Sequence, residues 1–297
     1  MQALFIMLKL GLLILFVIVL VVPYTRSLLF NPHFVLYYSV RDIYEYFAYR
    51  LYNKAKTGKL DCYVAPFGGG KTLSMAQYIH KFNKRYNGKT YYDSSRETFV
   101  TQRVIVLSNF VVNGVDCVPL RTLQDVVEFT QNQPKFDAEN NTRTVLLVAI
   151  DEASCQLNSR NFAKNIDALF LNTLITCRHY NINFIYSSQK FNLTDKLLRD
   201  VTQRVIVCKK VWRVVSLKYY DATLVENEGM TETLKPLRSS SWFCRNMHFK
   251  LYDTLACVDN MTKDDSRLDY SDILARISSE PTEVTDNHRF RRYRSKK

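Results

Sequence analysis

The sequence predicts an α/β fold: a mostly parallel sheet flanked by helices, with a transmembrane helix before it and a small β extension on its C-terminal side. Three observations carry this prediction. From residue 60, short apolar runs at 60–65, 104–109, 145–150, 182–188 and 204–208 are interleaved with helical patterns at 71–86, 121–131 and 166–180. Such alternation implies parallel strands joined by right-handed crossovers. The run Val145-Leu146-Leu147-Val148-Ala149-Ile150 has no polar alternation at all, as expected of a central strand covered on both faces. Finally, Leu4 to Val22 are apolar apart from Lys9 and Gly11. Nineteen helical residues at about 1.5 Å each span about 28 Å, close to the hydrocarbon thickness of a bilayer.

Taken in chain order, residues 1–26 read as a membrane anchor. Val22-Pro23-Tyr24-Thr25-Arg26 offers no small-x-small cleavage site, which favours an uncleaved span over a signal peptide. No basic side chain precedes the span, whereas Arg26, Arg41, Arg50, Lys54, Lys56 and Lys59 follow it. The positive-inside rule then places the bulk of the chain in the cytoplasm, behind a single pass. Residues 27–59 read as a linker. Within them Leu36, Val40, Ile43, Phe47 and Leu51 recur at three- and four-residue steps, predicting an amphipathic helix over 33–56 that Gly58 stops. Its many tyrosines suit a membrane interface.

Residues 60–215 form the predicted α/β domain. Residues 216–260 form the β extension, with strands expected over Val211–Tyr220 and Phe243–Tyr252. Residues 261–297 turn polar and end in Arg289-Phe290-Arg291-Arg292-Tyr293-Arg294-Ser295-Lys296-Lys297, a basic tail able to meet DNA phosphates or anionic lipid. The net charge of +13 over 297 residues likewise favours a polyanionic partner, nucleic acid or an anionic membrane face. Seven cysteines, none at C-x-x-C spacing, suggest neither a zinc site nor a disulfide framework.

The chemistry is carried by three strand ends. Ala65-Pro66-Phe67-Gly68-Gly69-Gly70-Lys71-Thr72, followed by Leu73, fits the Walker A pattern with Ala where Gly is usual. Its glycines let backbone N–H groups turn inward onto phosphate oxygens. Lys71 is placed to reach the β- and γ-phosphates and Thr72 to hold Mg²⁺ through its hydroxyl. The helix beginning there directs its positive end at the same phosphates. Asp151-Glu152 directly follows the 145–150 run and reads as Walker B, with Asp151 on the metal and Glu152 polarising the attacking water. Gln189 ends the 182–188 run, where it could sense the γ-phosphate. Arg160, Arg178 and Arg204 are candidates for the positive charge that the leaving phosphate needs, supplied from the same chain or from a neighbour. Together these predict a P-loop NTPase that binds ATP and Mg²⁺.

In order, the P-loop, Val104-Ile105-Val106-Leu107-Ser108-Asn109, Ile150-Asp151-Glu152-Ala153, Arg178-His179 and Ser188-Gln189 resemble the Zot-like (zonula occludens toxin-like) ATPases, a branch of the FtsK/HerA group of P-loop motors. The resemblance covers about residues 60–210. It implies ATP hydrolysis coupled to phage assembly at the host inner membrane, with DNA or phage coat and assembly proteins as partners, and a homo-oligomeric ring. It also implies phosphate binding by Gly68 to Thr72, metal and water roles for Asp151 and Glu152, a sensor role for Gln189, and Arg160 as an arginine acting across the subunit boundary. Two features depart from that family's pattern: Ala65 opens the P-loop, and the predicted span precedes the ATPase domain rather than following it. The second leaves genome packaging, conjugative or FtsK-type DNA translocation, and a nucleotide-binding scaffold without turnover as alternatives.

Overall fold

The structure, a computed structural model, describes residues 7, 9–11, 23–153, 168–229 and 234–252. Apart from Met7, Lys9, Leu10 and Gly11, the apolar run Leu4–Val22 lies outside them, as do Arg160 and the basic tail. Among the described residues no helix is long and apolar enough to cross a membrane. The chain divides into two compact units after Tyr52.

The first unit carries helices α1 (Pro23–Phe30) and α2 (Pro32–Ala48). Pro32 opens α2, where a missing N–H is no loss. The predicted helix over 33–56 stops at Ala48, well short of Gly58. Tyr49 N–H closes the last turn on Glu45 O, and Arg50 takes a left-handed φ of 53° that no helix continues through. A short 3₁₀ turn follows at Leu51–Asn53. No residue of α2 is buried, and Leu36, Val40, Ile43 and Phe47 are 60–69% exposed.

The second unit is a nine-stranded sheet. Its strands are β1 (Lys59–Val64), β2 (Thr90–Asp93), β3 (Thr98–Ser108), β4 (Cys117–Pro119), β5 (Thr142–Ile150), β6 (Ile182–Ser188), β7 (Arg204–Val211), β8 (Val214–Asp221) and β9 (Arg238–Phe243). The order is β2-β3-β5-β6-β1-β7-β8-β9, with β4 on β3. Strands β3, β5, β6, β1 and β7 run parallel, so their carboxyl ends share one edge. The five apolar runs of the sequence are these five strands. β2, β8 and β9 are antiparallel additions.

Helices α3 (Lys71–Tyr86), α4 (Leu123–Glu139), α5 (Ala168–Ile175), α6 (Lys196–Val201) and α7 (Ala222–Glu228) cover the sheet, and α8 (Asn246–Phe249) follows β9. Strand β5 shows why its sequence does not alternate. Leu146, Val148 and Ile150 enter one core, with Phe129 of α4 and Phe170 of α5. Val145, Leu147 and Ala149 enter the other, with Met75, Ile79 and Phe82 of α3.

Helix α4 runs past the predicted 131 and through Pro134. Tertiary hydrogen bonds hold its last turn: the Asp137 carboxylate accepts from Thr142 Oγ1 (2.9 Å), Thr144 N (2.8 Å) and Thr144 Oγ1 (2.6 Å), and Gln133 Nε2 donates to Thr144 O (2.7 Å). The strand expected over Phe243–Tyr252 is corrected to β9 at Arg238–Phe243 followed by α8. The mostly polar β9 pairs with β8, where backbone pairing rather than apolar alternation defines it.

The amino edge is tied by Arg204, whose Nε and Nη2 donate to Asp61 Oδ1 (2.8 Å) and Oδ2 (2.6 Å). The neighbouring Asp61 carboxylate raises the guanidinium pKa further through that bond. Asp61 is 3% exposed, while the Arg204 side chain is 34% exposed. Arg204→Met therefore strands a buried carboxylate. The loss expected is about 2 kcal/mol, below the ~3–5 kcal/mol of a fully buried pair because water reaches the arginine. Urea unfolding checks it as a lower midpoint at unchanged slope.

Candidate nucleotide site

Between β1 and α3 the chain makes a tight loop. Gly68 and Gly70 take φ of 73° and 85°, the left-handed region that favours glycine. At Gly69 the restriction is space: a Cβ there would lie 2.5 Å from Ala65 Cβ and 3.0 Å from Pro66 O. Ala65 is thus accommodated at the loop's first position because position 69 has no side chain. Gly69 N–H bonds Pro66 O (3.1 Å), and Ser74 N–H and Oγ both donate to Gly70 O. Gly70 caps α3 without a side chain, so the first-turn N–H groups and the positive end of a 16-residue helix face the loop. This is an anion site by construction.

Lys71 is 7% exposed, and its Nζ donates to Ala65 O (2.9 Å), 5.8 Å from the ring centroid of the exposed Phe67. Thr72 Oγ1 donates to Asp151 Oδ2 at 2.7 Å. The P-loop and the acidic strand end meet at this contact, although β6 lies between β1 and β5 in the sheet.

Asp151 is 2% exposed and held on three sides. Its N–H donates to Asn109 Oδ1 (2.8 Å), and its carbonyl accepts from Asn109 Nδ2 (3.0 Å). Its second carboxylate oxygen accepts from Ser187 Oγ. Ser187 Oγ also accepts from Glu152 N–H (2.9 Å). Glu152 is half-buried with φ 51°, a conformation that costs a non-glycine residue about 1–2 kcal/mol and tends to mark functional sites. Gln189 follows Ser188, which pairs with Val64, so it stands beside the start of the P-loop.

The residues fit a hard cation. Two oxygen donors 2.7 Å apart come close to the edge of about 2.9 Å that adjacent ligands make around octahedral Mg²⁺ at about 2.1 Å. Among the described residues no group of three or more His, Cys, Asp or Glu gathers, so an ion here would need further oxygens from water and from a bound phosphate. That is how Mg²⁺ is usually held at phosphate sites.

Of the predicted site residues, the structure brings together Ala65 to Leu73, Asp151, Glu152 and Gln189. Arg178 is elsewhere: its Cα and Cβ lie 3.1 Å and 2.8 Å from where a Gly58 Cβ would be, just before β1. A six-residue strand at about 3.3 Å per residue puts it about 20 Å from the P-loop. Arg178 is therefore corrected as a candidate for its own chain's site, and Arg204 sits at the same far edge, bound to Asp61. Sequence reading missed Ser187, which no motif marks, and took Asn109 only as a family mark; the structure shows it clamping Asp151. Cys208 on β7 also backs the loop. Burial pushes its thiol up to about 12, against the opposing pull of Ser74 and Lys71, so it is inert.

The glycine loop between a strand and a helix, the acidic end of a second parallel strand and the strand interposed between them make this a P-loop NTPase fold. No protein-family model matches the chain, and no curated protein does. Similar solved structures include the N-terminal domain of zonular occludens toxin from Neisseria meningitidis, 17% identical over 66% of this chain and 100% of that one, with TM-score 0.45. They also include the genome packaging NTPase of Sulfolobus turreted icosahedral virus 2 in complex with ATP-gammaS, 11% identical over 61% and 98%, TM-score 0.36. A third is EssC (ATPases 2 and 3) from Geobacillus thermodenitrificans, 12% identical over 63% and 38%, TM-score 0.36.

Proposed function

We propose that the chain is a Mg²⁺-dependent ATPase motor, anchored by residues 4–22 in the host inner membrane with its ATPase domain in the cytoplasm. It works as a homo-oligomeric ring that drives virion assembly and extrusion or DNA translocation. The observation that carries the chemical part is the Thr72–Asp151 contact at 2.7 Å. It joins the phosphate loop to a carboxylate flanked by a second acid, the pairing that ATP hydrolysis needs and that a plain glycine turn has no use for. In this reading Lys71 holds the β- and γ-phosphates, Thr72 and Asp151 the Mg²⁺, and Glu152 the attacking water. Mg²⁺, when bound, supplies charge neutralisation to the phosphates. Gln189 senses the terminal phosphate, and Arg160 serves a neighbouring subunit.

The membrane part is supported by the apolar run at 4–22, by the basic residues after it, and by the exposed apolar row on α2 with its tyrosines. The polyanion partner is supported by the net charge of +13 and by the order of motifs shared with Zot-like ATPases.

The test is Mg²⁺-dependent ATP hydrolysis by the full chain in detergent, with and without single- and double-stranded DNA. Lys71→Ala is expected to lower turnover at least about a hundredfold. Stimulation by DNA supports translocation, and turnover indifferent to DNA supports assembly of protein partners. Nucleotide binding without turnover overturns the motor and leaves a scaffold.

A further inference from the structure

A lysine outside every motif also reaches the P-loop. Strand β7 lies next to β1 on the side away from β6 and β5. On its α3 face Ile206 and Cys208 enter the core with Met75 and Ile79. Lys210 is next on that face, one pleat nearer the carboxyl edge, at the N-terminus of α3. Its Cβ, Cδ and Cγ lie 3.3, 3.7 and 4.0 Å from where a Gly70 Cβ would be. The aliphatic stem therefore rests on the loop glycine itself. The ammonium lies 4.7 Å from the Phe249 ring centroid, and the Arg213 guanidinium lies 5.6 Å from the same ring. Two cations thus converge on one aromatic ring beside an anion-binding loop.

Sheet order gives this placement a direction. The Thr72–Asp151 contact fixes where the metal and the terminal phosphates belong, on the β6 and β5 side of the loop. A nucleotide bound that way carries its α-phosphate and nucleoside away from those acids, toward β7. We propose that Lys210 is a nucleotide-binding residue whose ammonium leaves the Phe249 face to donate to the α-phosphate. The lysine's rotatable stem and three donors suit that movement. The inference rests on the nucleotide site proposed above and adds a cation on the side opposite Asp151.

A purely structural role, Lys210 pinning α8 through Phe249, predicts different results. The experiment is titration of the full chain in detergent with ATP, ADP and AMP, beside Lys210→Met, Lys210→Arg, Phe249→Leu and Lys71→Ala. Lys210→Met keeps the stem on Gly70 and removes the charge. It is expected to weaken ATP and ADP alike, each about tenfold, as loss of one charged contact to phosphate does, and to weaken AMP in the same sense. Lys210→Arg is expected to restore affinity to within about threefold. Phe249→Leu is expected to leave ATP affinity close to that of the wild type. The inference is overturned if Lys210→Met binds ATP as the wild type does, or if Phe249→Leu reproduces its loss. Wild-type binding that Lys71→Ala abolishes and Lys210→Met leaves intact sinks this inference alone. A wild type that binds no nucleotide sinks the nucleotide-site reading with it.

Discussion

Glu152→Gln is expected to lower ATP turnover about a thousandfold, the middle of the range for losing a general base, while nucleotide affinity stays within a few-fold of wild type. The geometry separates the two effects. The metal-side and phosphate-side groups, Asp151, Thr72 and Lys71, keep their partners at 2.7 Å (Thr72 to Asp151) and 2.9 Å (Lys71 to Ala65 O), and none of those bonds uses the Glu152 side chain. What the substitution removes is a carboxylate. The backbone around it is unchanged, because Glu152 N–H, not its side chain, donates to Ser187. Glutamine keeps the side chain's shape and the same left-handed φ, so a structural role would leave turnover nearly intact. Single-turnover hydrolysis beside equilibrium ATP binding checks this. A variant that loses binding and turnover in proportion would remove Glu152 from the chemistry and make it a loop-shaping residue.

The parts of the fold legible in the sequence were those whose physics is local. Glycines that need positive φ at 68 and 70, an unbroken apolar run at 145–150 and a row of Met75, Ile79 and Phe82 at helical spacing each carry their own reason. The illegible parts depend on partners distant in sequence. Pro134 stays helical because Asp137 is held by Thr142 and Thr144. Strand β9 is polar and exists through pairing with β8. Arg178 and Arg204 look like any other arginines in the chain, and only the strand directions put them at the edge away from the P-loop. Lys210 follows Lys209 in what reads as a solvated pair, yet strand alternation turns the two to opposite faces, and the packing of β7 on α3 brings only the second to Gly70. Ser187 likewise gains its place between Asp151 and Glu152 only because β6 is inserted beside β5.

Asn109→Ala is expected to damage stability and catalysis together, through Asp151. Asn109 is 2% exposed and spends both ends of its amide on one residue, accepting from Asp151 N–H at 2.8 Å and donating to Asp151 O at 3.0 Å. Truncation leaves a buried N–H and a buried C=O without those partners, a loss of about 2–3 kcal/mol. In a chain of this size that lowers Tm by roughly 5–10 °C. Turnover should fall at least about tenfold, because the carboxylate facing Thr72 hangs from the backbone that Asn109 fixes, and supporting contacts of this kind are typically worth 10–100-fold. Asn109→Asp separates the clamp from simple packing. It keeps the acceptor for Asp151 N–H but loses the donor to Asp151 O, setting one oxygen against another at the distance of the lost bond. Protonating the new carboxyl restores the donor, so its pKa in the folded chain rises above the unfolded value. A group raised in this way stabilises fully at pH below its unfolded pKa, and that stability is lost as pH rises through the folded pKa. The variant should therefore melt closer to wild type in mildly acidic buffer than at neutral pH, whereas Asn109→Ala should show no such recovery. Parallel melting curves of the two variants across pH would show a packing residue and nothing more; convergence of the aspartate variant toward wild type on acidification identifies the amide as the clamp that aims Asp151.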